Sequence, residues 1–274
     1  MINDWLNYEE TNPSPYVFRI INVSEKSEQS DELKSFLGRE IVNSYRDLDF
    51  LKSSYKDKPK DDLESYLKHY VFPSDKAQIH KNVGQGDFGE ILAGIIVSNI
   101  QGLIVPIQKL RWKFNHNKSV FCTDMIAHNS GVFIENIHYY EIKTRLLIRK
   151  EAVNKINNHV TVNAHNSLLK DENAPNDGIA DFISRICYAN NDFENYLKYS
   201  AVVSNPNNYY RIFELFFIVD ESKYKGEILD DLENLPPTLN PLRVTIVLIK
   251  SLGRLIVTAR QKAIEEAVNY VYTK

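Results

Sequence analysis

The order of hydrophobic and polar positions along the chain predicts alternating strands and helices. Residues 15–24 have the composition of a strand, and residues 30–48 and 61–72 carry apolar side chains at helical spacing. Residues 1–80 are therefore predicted to form an N-terminal α-rich cap. The next segment, 86–100, is apolar nearly all round, which is typical of a buried helix.

The rest of the chain predicts a sheet covered by helices. Two strands separated by an Asn-Ser-Gly turn signal, residues 118–128 and 137–148, are expected to pair antiparallel. The elements predicted after them are helix 151–170, helix 178–200, strand 209–220, strand 242–250 and helix 252–272. This order favours an α/β or α+β fold with a mixed β-sheet flanked by helices.

Composition and charge narrow the class of protein. The 274 residues have a formal net charge of −3, so the chain does not coat nucleic acid or membranes by bulk electrostatics. The two cysteines lie far apart in sequence, which does not fit a disulfide framework or a zinc module. Neither a signal peptide nor an apolar stretch of membrane length is found, and we predict a soluble cytoplasmic protein.

One predicted strand carries two opposite charges in its middle. Alternate side chains of a strand share a face, so Glu141, Lys143 and Arg145 project to one side of residues 137–148. The intervening side chains project to the other side. A surface strand with solvated charges would have the same Glu-Ile-Lys tripeptide, so the tripeptide alone does not define a functional site.

Two further carboxylates are candidates to join this pair. Asp124 lies on the neighbouring predicted strand, where a half-buried carboxylate needs a partner, although it could also cap a turn at the strand end. Glu90 lies on the buried helix beside Ala93 and Gly94, small residues expected to let the helix approach the sheet closely. Because Asp87 and Glu90 have the spacing of a capping box, Glu90 could instead satisfy a backbone N–H.

Glu90, Asp124, Glu141 and Lys143 together form a candidate catalytic site. Carboxylate oxygens are the ligands that Mg²⁺ and Mn²⁺ prefer, so the three acids are the predicted metal ligands. Lys143 cannot bind the metal, but its ammonium, about 7 Å along the strand from Glu141, can reach a bound water or a phosphate. These groups suit metal-dependent hydrolysis of a phosphodiester.

The order of the four residues resembles the PD-(D/E)XK nuclease superfamily. The segments around them are similar to the HamA family of the Hachiman antiphage defence system over GDFGEILAG, VPIQKLRWK, CTDMIAH and YYEIKTR. The resemblance is strongest over residues 84–150, and it implies a restriction-endonuclease-like core in residues 81–274. It further implies a metal-dependent DNA endonuclease effector that works with a HamB-like helicase subunit. The chain departs from the superfamily pattern at Thr123, which stands in place of proline.

Basic residues near the predicted site are candidates for contacts with a nucleic-acid backbone. Lys109 and Arg111 precede the Asp124 strand, and Arg145 continues the Glu141 strand. In nucleases of this superfamily the next helix often supplies an amide or imidazole group, which makes His165 a further candidate. A solvated basic edge, and a surface or core role for the histidine, remain alternatives.

Two functions are compatible with these residues. The first is a Mg²⁺-dependent DNA endonuclease that uses the four candidate residues. The second is a non-catalytic DNA-binding or partner-docking subunit that keeps the nuclease fold as a scaffold, which the cap and the acidic net charge would suit. Alanine substitutions at the four positions distinguish the two, because only the endonuclease needs these side chains.

Overall fold

A six-stranded sheet forms the centre of the molecule. The computed structural model describes residues 1–11, 18–118, 123–148, 155, 158–173, 178–205 and 208–273. The strands are β1 (Leu6–Thr11), β2 (Arg19–Glu25), β3 (Met125–His128), β4 (Asn136–Arg145), β5 (Tyr210–Asp220) and β6 (Leu242–Ile249). Their spatial order is β1-β2-β6-β5-β4-β3, with parallel pairs in the middle and an antiparallel pair at each edge. The predicted mixed sheet, with β3 antiparallel to β4, is confirmed.

Ten α-helices surround this sheet in the part of the chain that the structure describes. They are α1 (Ile2–Trp5), α2 (Asp31–Tyr45), α3 (Leu48–Tyr55), α4 (Lys60–Tyr66), α5 (Gln78–Asn99), α6 (Val160–Asn173), α7 (Gly178–Ala189), α8 (Phe193–Ser204), α9 (Glu227–Leu232) and α10 (Leu252–Tyr272). A short 3-10 turn, Lys109–Trp112, precedes β3. Among the described helices, none has both the length and the apolar character needed to cross a membrane.

Both faces of the sheet are covered. Helices α2, α5 and α10 share a core with one face, whereas α6 and α9 share a core with the other. Helices α7 and α8 form a smaller core with β3 and β4. Because β5 is covered on both faces, it is an almost continuous apolar run and not an alternating one.

The first 80 residues combine helices with two strands of the common sheet. Helices α2 and α4 lie where the sequence indicates helical spacing, and β2 lies in the predicted strand segment. Helix α3 was not predicted, because it lies in the charged segment between the two predicted helices. Strand β1 was not predicted, because its side chains are mostly polar and exposed at the edge of the sheet. The division of the chain at residue 80 stays a prediction.

Helix α5 lies very close to β4, and a glycine makes this possible. A Cβ atom at Gly89 would collide with Thr144 Oγ1 of β4. The approach was expected at Ala93 and Gly94, but a Cβ at Gly94 would only reach Met125 Sδ at 3.6 Å, an ordinary contact. The close contact therefore occurs one helical turn earlier, next to Glu90.

Candidate active site

Strand β4 carries the first part of the candidate site. As the alternation predicts, Glu141 and Lys143 share a face, and the Lys143 ammonium contacts Glu141 Oε1. Tyr140 and Ile142 belong instead to the core on the α5 side of the sheet. Burial raises the pKa of Glu141, the Asp124 carboxylate raises it further, and Lys143 opposes both effects. Glu141 and Lys143 are thus directed into a site and not into open solvent.

Asp124 joins this pair from the start of β3. Met125 pairs with Tyr140 in the antiparallel ladder, so the register brings Asp124 beside Glu141. Asp124 Oδ2 accepts a hydrogen bond of 2.8 Å from the backbone N–H of Ile142. The carboxylate is therefore bound to the neighbouring strand between Glu141 and Lys143, which disfavours the alternative that it only caps a turn.

Glu90 reaches the site from the middle of α5. The helix begins at Gln78, so the capping-box alternative for Asp87 and Glu90 is wrong. Burial raises the pKa of Glu90 to about 8; Asp124 and Asp87 also raise it, and Lys109 opposes them. Lys109 Nζ lies 3.4 Å from Glu90 Oε2 and 3.8 Å from Asp124 Oδ1. An ammonium group therefore lies between two of the three acids.

These side chains form one carboxylate–lysine cluster, made of Glu90, Lys109, Asp124, Glu141 and Lys143. Within the residues that the structure describes, no three His, Cys, Asp or Glu side chains are close enough to hold a metal ion as they stand. The donors still fit a hard divalent cation, because Asp124 raises the pKa of both glutamates and a cation would relieve this repulsion. The chemistry of the three acids therefore fits Mg²⁺ or Mn²⁺, and their role as metal ligands stays a prediction.

A cavity of about 130 Å³ opens onto one end of the cluster. It lies between α2, α5 and the segment that contains Lys109, and its lining includes Glu40, Ser44, Glu90, Lys109 and Asp124. Burial raises the pKa of Glu40, and Arg39 opposes this shift. The cavity gives small polar groups access to the acids.

A buried triad of Tyr45, Asp87 and Lys113 lies one helical turn from Glu90. Lys113 Nζ is 2.6 Å from Asp87 Oδ1, and the Tyr45 hydroxyl donates to Asp87 Oδ2. The side chains of Lys113 and Asp87 are only 3% and 4% exposed. The triad joins α2, α5 and the segment after the 3-10 turn. It therefore holds in place the backbone segments that carry Lys109 and Glu90.

The four predicted nucleic-acid contacts have different surroundings. Lys109 belongs to the carboxylate–lysine cluster. Arg111 donates to the Asn43 carbonyl at 2.9 Å and to the Asn43 side chain at 2.8 Å, so it is held against the end of α2. Arg145 is exposed at the end of β4. His165 is completely buried, and the structure does not bring it into the cluster. Contacts between nucleic acid and these four residues stay predictions.

Sequence reasoning missed two partners of the cluster. The sequence predicts Lys109 only as a contact with a nucleic-acid backbone, and nothing in the local pattern indicates that it meets Glu90 and Asp124. Ser167 of α6 lowers the pKa of Glu141 through its hydroxyl. Ser167 therefore acts on a member of the cluster, whereas His165 lies on the buried side of the helix. A contribution of this helix to binding a phosphate or a water stays a prediction.

The raised pKa of Glu90 predicts a pH-dependent stability. Between the ordinary value of 4.5 and about 8, the folded chain binds more protons than the unfolded chain. In the absence of divalent metal, the free energy of unfolding should therefore fall as pH rises through this range, by at most about 1.4 kcal/mol per pH unit. Glu90→Gln cannot ionise, so we expect a smaller loss of stability in this variant.

Urea denaturation across this pH range measures the effect. Glu135→Gln is the control, because Glu135 is an exposed glutamate just before β4. It should keep the pH dependence of the wild type. The same slope in the wild type and in Glu90→Gln would contradict the prediction.

The comparisons with known proteins agree with the resemblance. A sequence model of the HamA family matches residues 1–256, which contain every member of the carboxylate–lysine cluster. No curated protein matches the chain. The family match covers the sheet, the helices on both its faces and the start of α10, so it concerns the whole fold and not a short motif.

Proposed function

The chain belongs to the HamA family of the Hachiman antiphage defence system, and we propose that it is a metal-dependent DNA endonuclease, the effector of that system. The observation that supports this most is the convergence of Asp124, Glu141 and Lys143 at the β3–β4 pair, with Glu90 added from α5. A helicase subunit is the proposed partner that controls the activity. Nucleic acid is the proposed substrate, because the cluster combines cation ligands with ammonium groups.

Asp124 and Glu141 would hold the divalent ion, with Glu90 as the third carboxylate. When bound, the ion would lower the pKa of a coordinated water and stabilise the charge that develops on the phosphate and the leaving oxygen. The hydrogen bond from Ile142 N–H holds one oxygen of Asp124, which leaves Oδ1 directed toward Lys109. The backbone of β4 therefore orients the carboxylate without occupying both of its oxygens.

Lys143 is the proposed catalytic lysine. Its side chain is 23% exposed and lies on the same face as Glu141, so its ammonium is accessible to a phosphate group that approaches the acids. There it would orient the attacking water and offset negative charge in the transition state. Arg145 lies two residues further on the same strand and is exposed, which suits a contact with the neighbouring phosphate of the same DNA strand.

A non-catalytic docking subunit is the second candidate function. One observation favours it: Glu90, Asp124 and Glu141 already have ammonium partners in Lys109 and Lys143. A purely structural ion-pair network would look the same. Under this function, charge-neutralising substitutions in the cluster would leave phage protection intact.

Cleavage of a plasmid in the presence of Mg²⁺ tests the proposal. The purified chain is assayed with and without its helicase partner, as wild type, Glu141→Gln and Lys143→Gln. Each substitution removes one charge with little change in size, and we expect cleavage to fall by about a hundred-fold or more. EDTA should abolish the wild-type reaction.

The matched control is Glu135→Gln, which removes an exposed charge close to the same strand. It should cleave at the wild-type rate. Equal cleavage by the wild type and both cluster variants would remove the endonuclease proposal. Intact phage protection in both variants would favour the docking subunit instead.

A further inference from the structure

Three oxygen atoms lie close to the Lys109 ammonium. Lys109 Nζ donates a hydrogen bond of 3.3 Å to the Thr123 carbonyl, and it lies 3.4 Å from Glu90 Oε2 and 3.8 Å from Asp124 Oδ1. Its side chain is only 15% exposed. Carbonyl and carboxylate oxygens in this combination are also what a hard divalent cation requires. The lysine therefore lies in an environment suited to a bound cation.

The backbone around Lys109 is fixed by other residues. Arg111, two residues along the same turn, is bonded to Asn43 of α2, and Lys113 is bonded to Asp87 of α5. Neither anchor involves the two acids that contact Lys109. The Lys109 side chain can therefore leave these acids while the turn itself stays in place.

There is both space and an alternative partner for the displaced ammonium. The cavity of about 130 Å³ is lined by Lys109 and also by Glu40 of α2. Glu40 is half-buried and makes no ion pair with another described residue. A half-buried carboxylate that makes no ion pair is a favourable new partner for an ammonium group. Rotation of the Lys109 side chain within the cavity could thus move its ammonium from Glu90 and Asp124 to Glu40.

We propose that the Lys109 ammonium is an internal competitor of the divalent ion, and that metal binding at Glu90 and Asp124 displaces it toward Glu40. This inference rests on the proposed function, because it concerns the cation of the same site. Without metal, the Lys109 ammonium lies between Glu90 and Asp124 and keeps the site inactive. With metal, the lysine leaves, and the carboxylates become ligands of the ion.

Direct measurement of Mn²⁺ affinity tests this proposal without any cleavage assay. Isothermal titration calorimetry compares the wild type with Lys109→Met, which keeps the length of the side chain and removes its charge. Removing a positive charge from between two ligands should tighten Mn²⁺ binding about tenfold or more. Lys118→Met is the matched control, because Lys118 is an exposed lysine of the same segment. The Mn²⁺ affinity of this variant should equal that of the wild type.

The outcomes separate this proposal from the proposed function. Tighter binding by Lys109→Met alone supports the competitor role. Unchanged or weaker binding by a folded Lys109→Met protein overturns it, whereas the endonuclease proposal stands as long as the wild type binds Mn²⁺ and cleaves DNA. Absence of Mn²⁺ binding in every protein overturns both.

Chemical labelling of lysines in the wild type supplies a second measurement, which remains decisive if Lys109→Met does not fold. Acetylation followed by mass spectrometry reports how accessible each ammonium group is. Lys109 should be labelled slowly without metal and several-fold faster with saturating Mn²⁺, while the exposed Lys118 stays constant. A labelling rate at Lys109 that does not respond to Mn²⁺ overturns the displacement.

Discussion

Replacing Asp124 by asparagine is expected to lower Mg²⁺-dependent cleavage by about a thousand-fold while the protein stays folded. The asparagine side-chain oxygen can still accept the hydrogen bond from Ile142 N–H, which measures 2.8 Å in the wild type. The contact between β3 and β4 is thereby kept. The negative charge is lost, however, and a neutral amide is a much weaker ligand for a hard cation. Initial cleavage rates measure the loss of activity, and far-UV circular dichroism shows whether the variant stays folded.

Two comparison variants make this result specific. Asp124→Ala removes the charge and also the acceptor for Ile142 N–H, so it should lose stability as well as activity. Asp181→Asn neutralises an aspartate on α7 whose side chain is 49% exposed, and it should behave as wild type. A cleavage rate for Asp124→Asn within a few-fold of the wild-type rate would show that this carboxylate is not a metal ligand.

Lys113→Met is expected to lower the free energy of unfolding by about 3–5 kcal/mol. The substitution leaves Asp87 buried between α2 and α5, where the Tyr45 hydroxyl is its one remaining hydrogen-bond partner among the described residues. Burial already raises the pKa of Asp87 in the presence of Lys113, which opposes that shift. Without the lysine the carboxyl group must take up a proton or remain as an uncompensated charge. Urea denaturation measures the loss.

The matched control is Lys68→Met, which breaks a surface pair with Glu64 on adjacent helical turns. Both side chains are more than one third exposed, at 51% and 38%. The free energy of unfolding should therefore fall by about 0.5 kcal/mol or less. The double substitution Asp87→Leu with Lys113→Met should recover much of the lost stability, since it removes both buried charges. Equal stability of Lys113→Met and Lys68→Met would mean that the buried triad does not stabilise the fold.

Local patterns were sufficient to predict the centre of the site. Alternation along β4 predicted that Glu141 and Lys143 share a face, and the turn signal before this strand predicted its antiparallel partner. The apolar composition of residues 86–100 predicted a buried helix that carries Glu90, and this helix is observed. Each of these predictions depends on neighbours within a few residues, where periodicity carries the information.

The partners that come from distant parts of the chain were not predictable in this way. Lys109 and Lys113 lie in and directly after a single 3-10 turn, a segment without any period, and their acids are 15 to 26 residues away in sequence. Which lysine meets which acid depends on how the turn is anchored to α2. The start of α6 at Val160 also differs from the predicted helix 151–170, of which residues 151–154 and 156–157 lie outside the described residues.

The glycine at position 89 links packing to chemistry. Gly89 allows the backbone of α5 to lie against Thr144 of β4. The next residue is Glu90, so the distance between α5 and the sheet also sets how far the Glu90 carboxylate reaches into the cluster. A bulkier residue at 89 would push the helix outward and withdraw an acid from the cluster at the same time. A design that transfers the carboxylate–lysine cluster to another scaffold must therefore include the glycine as well as the charged residues.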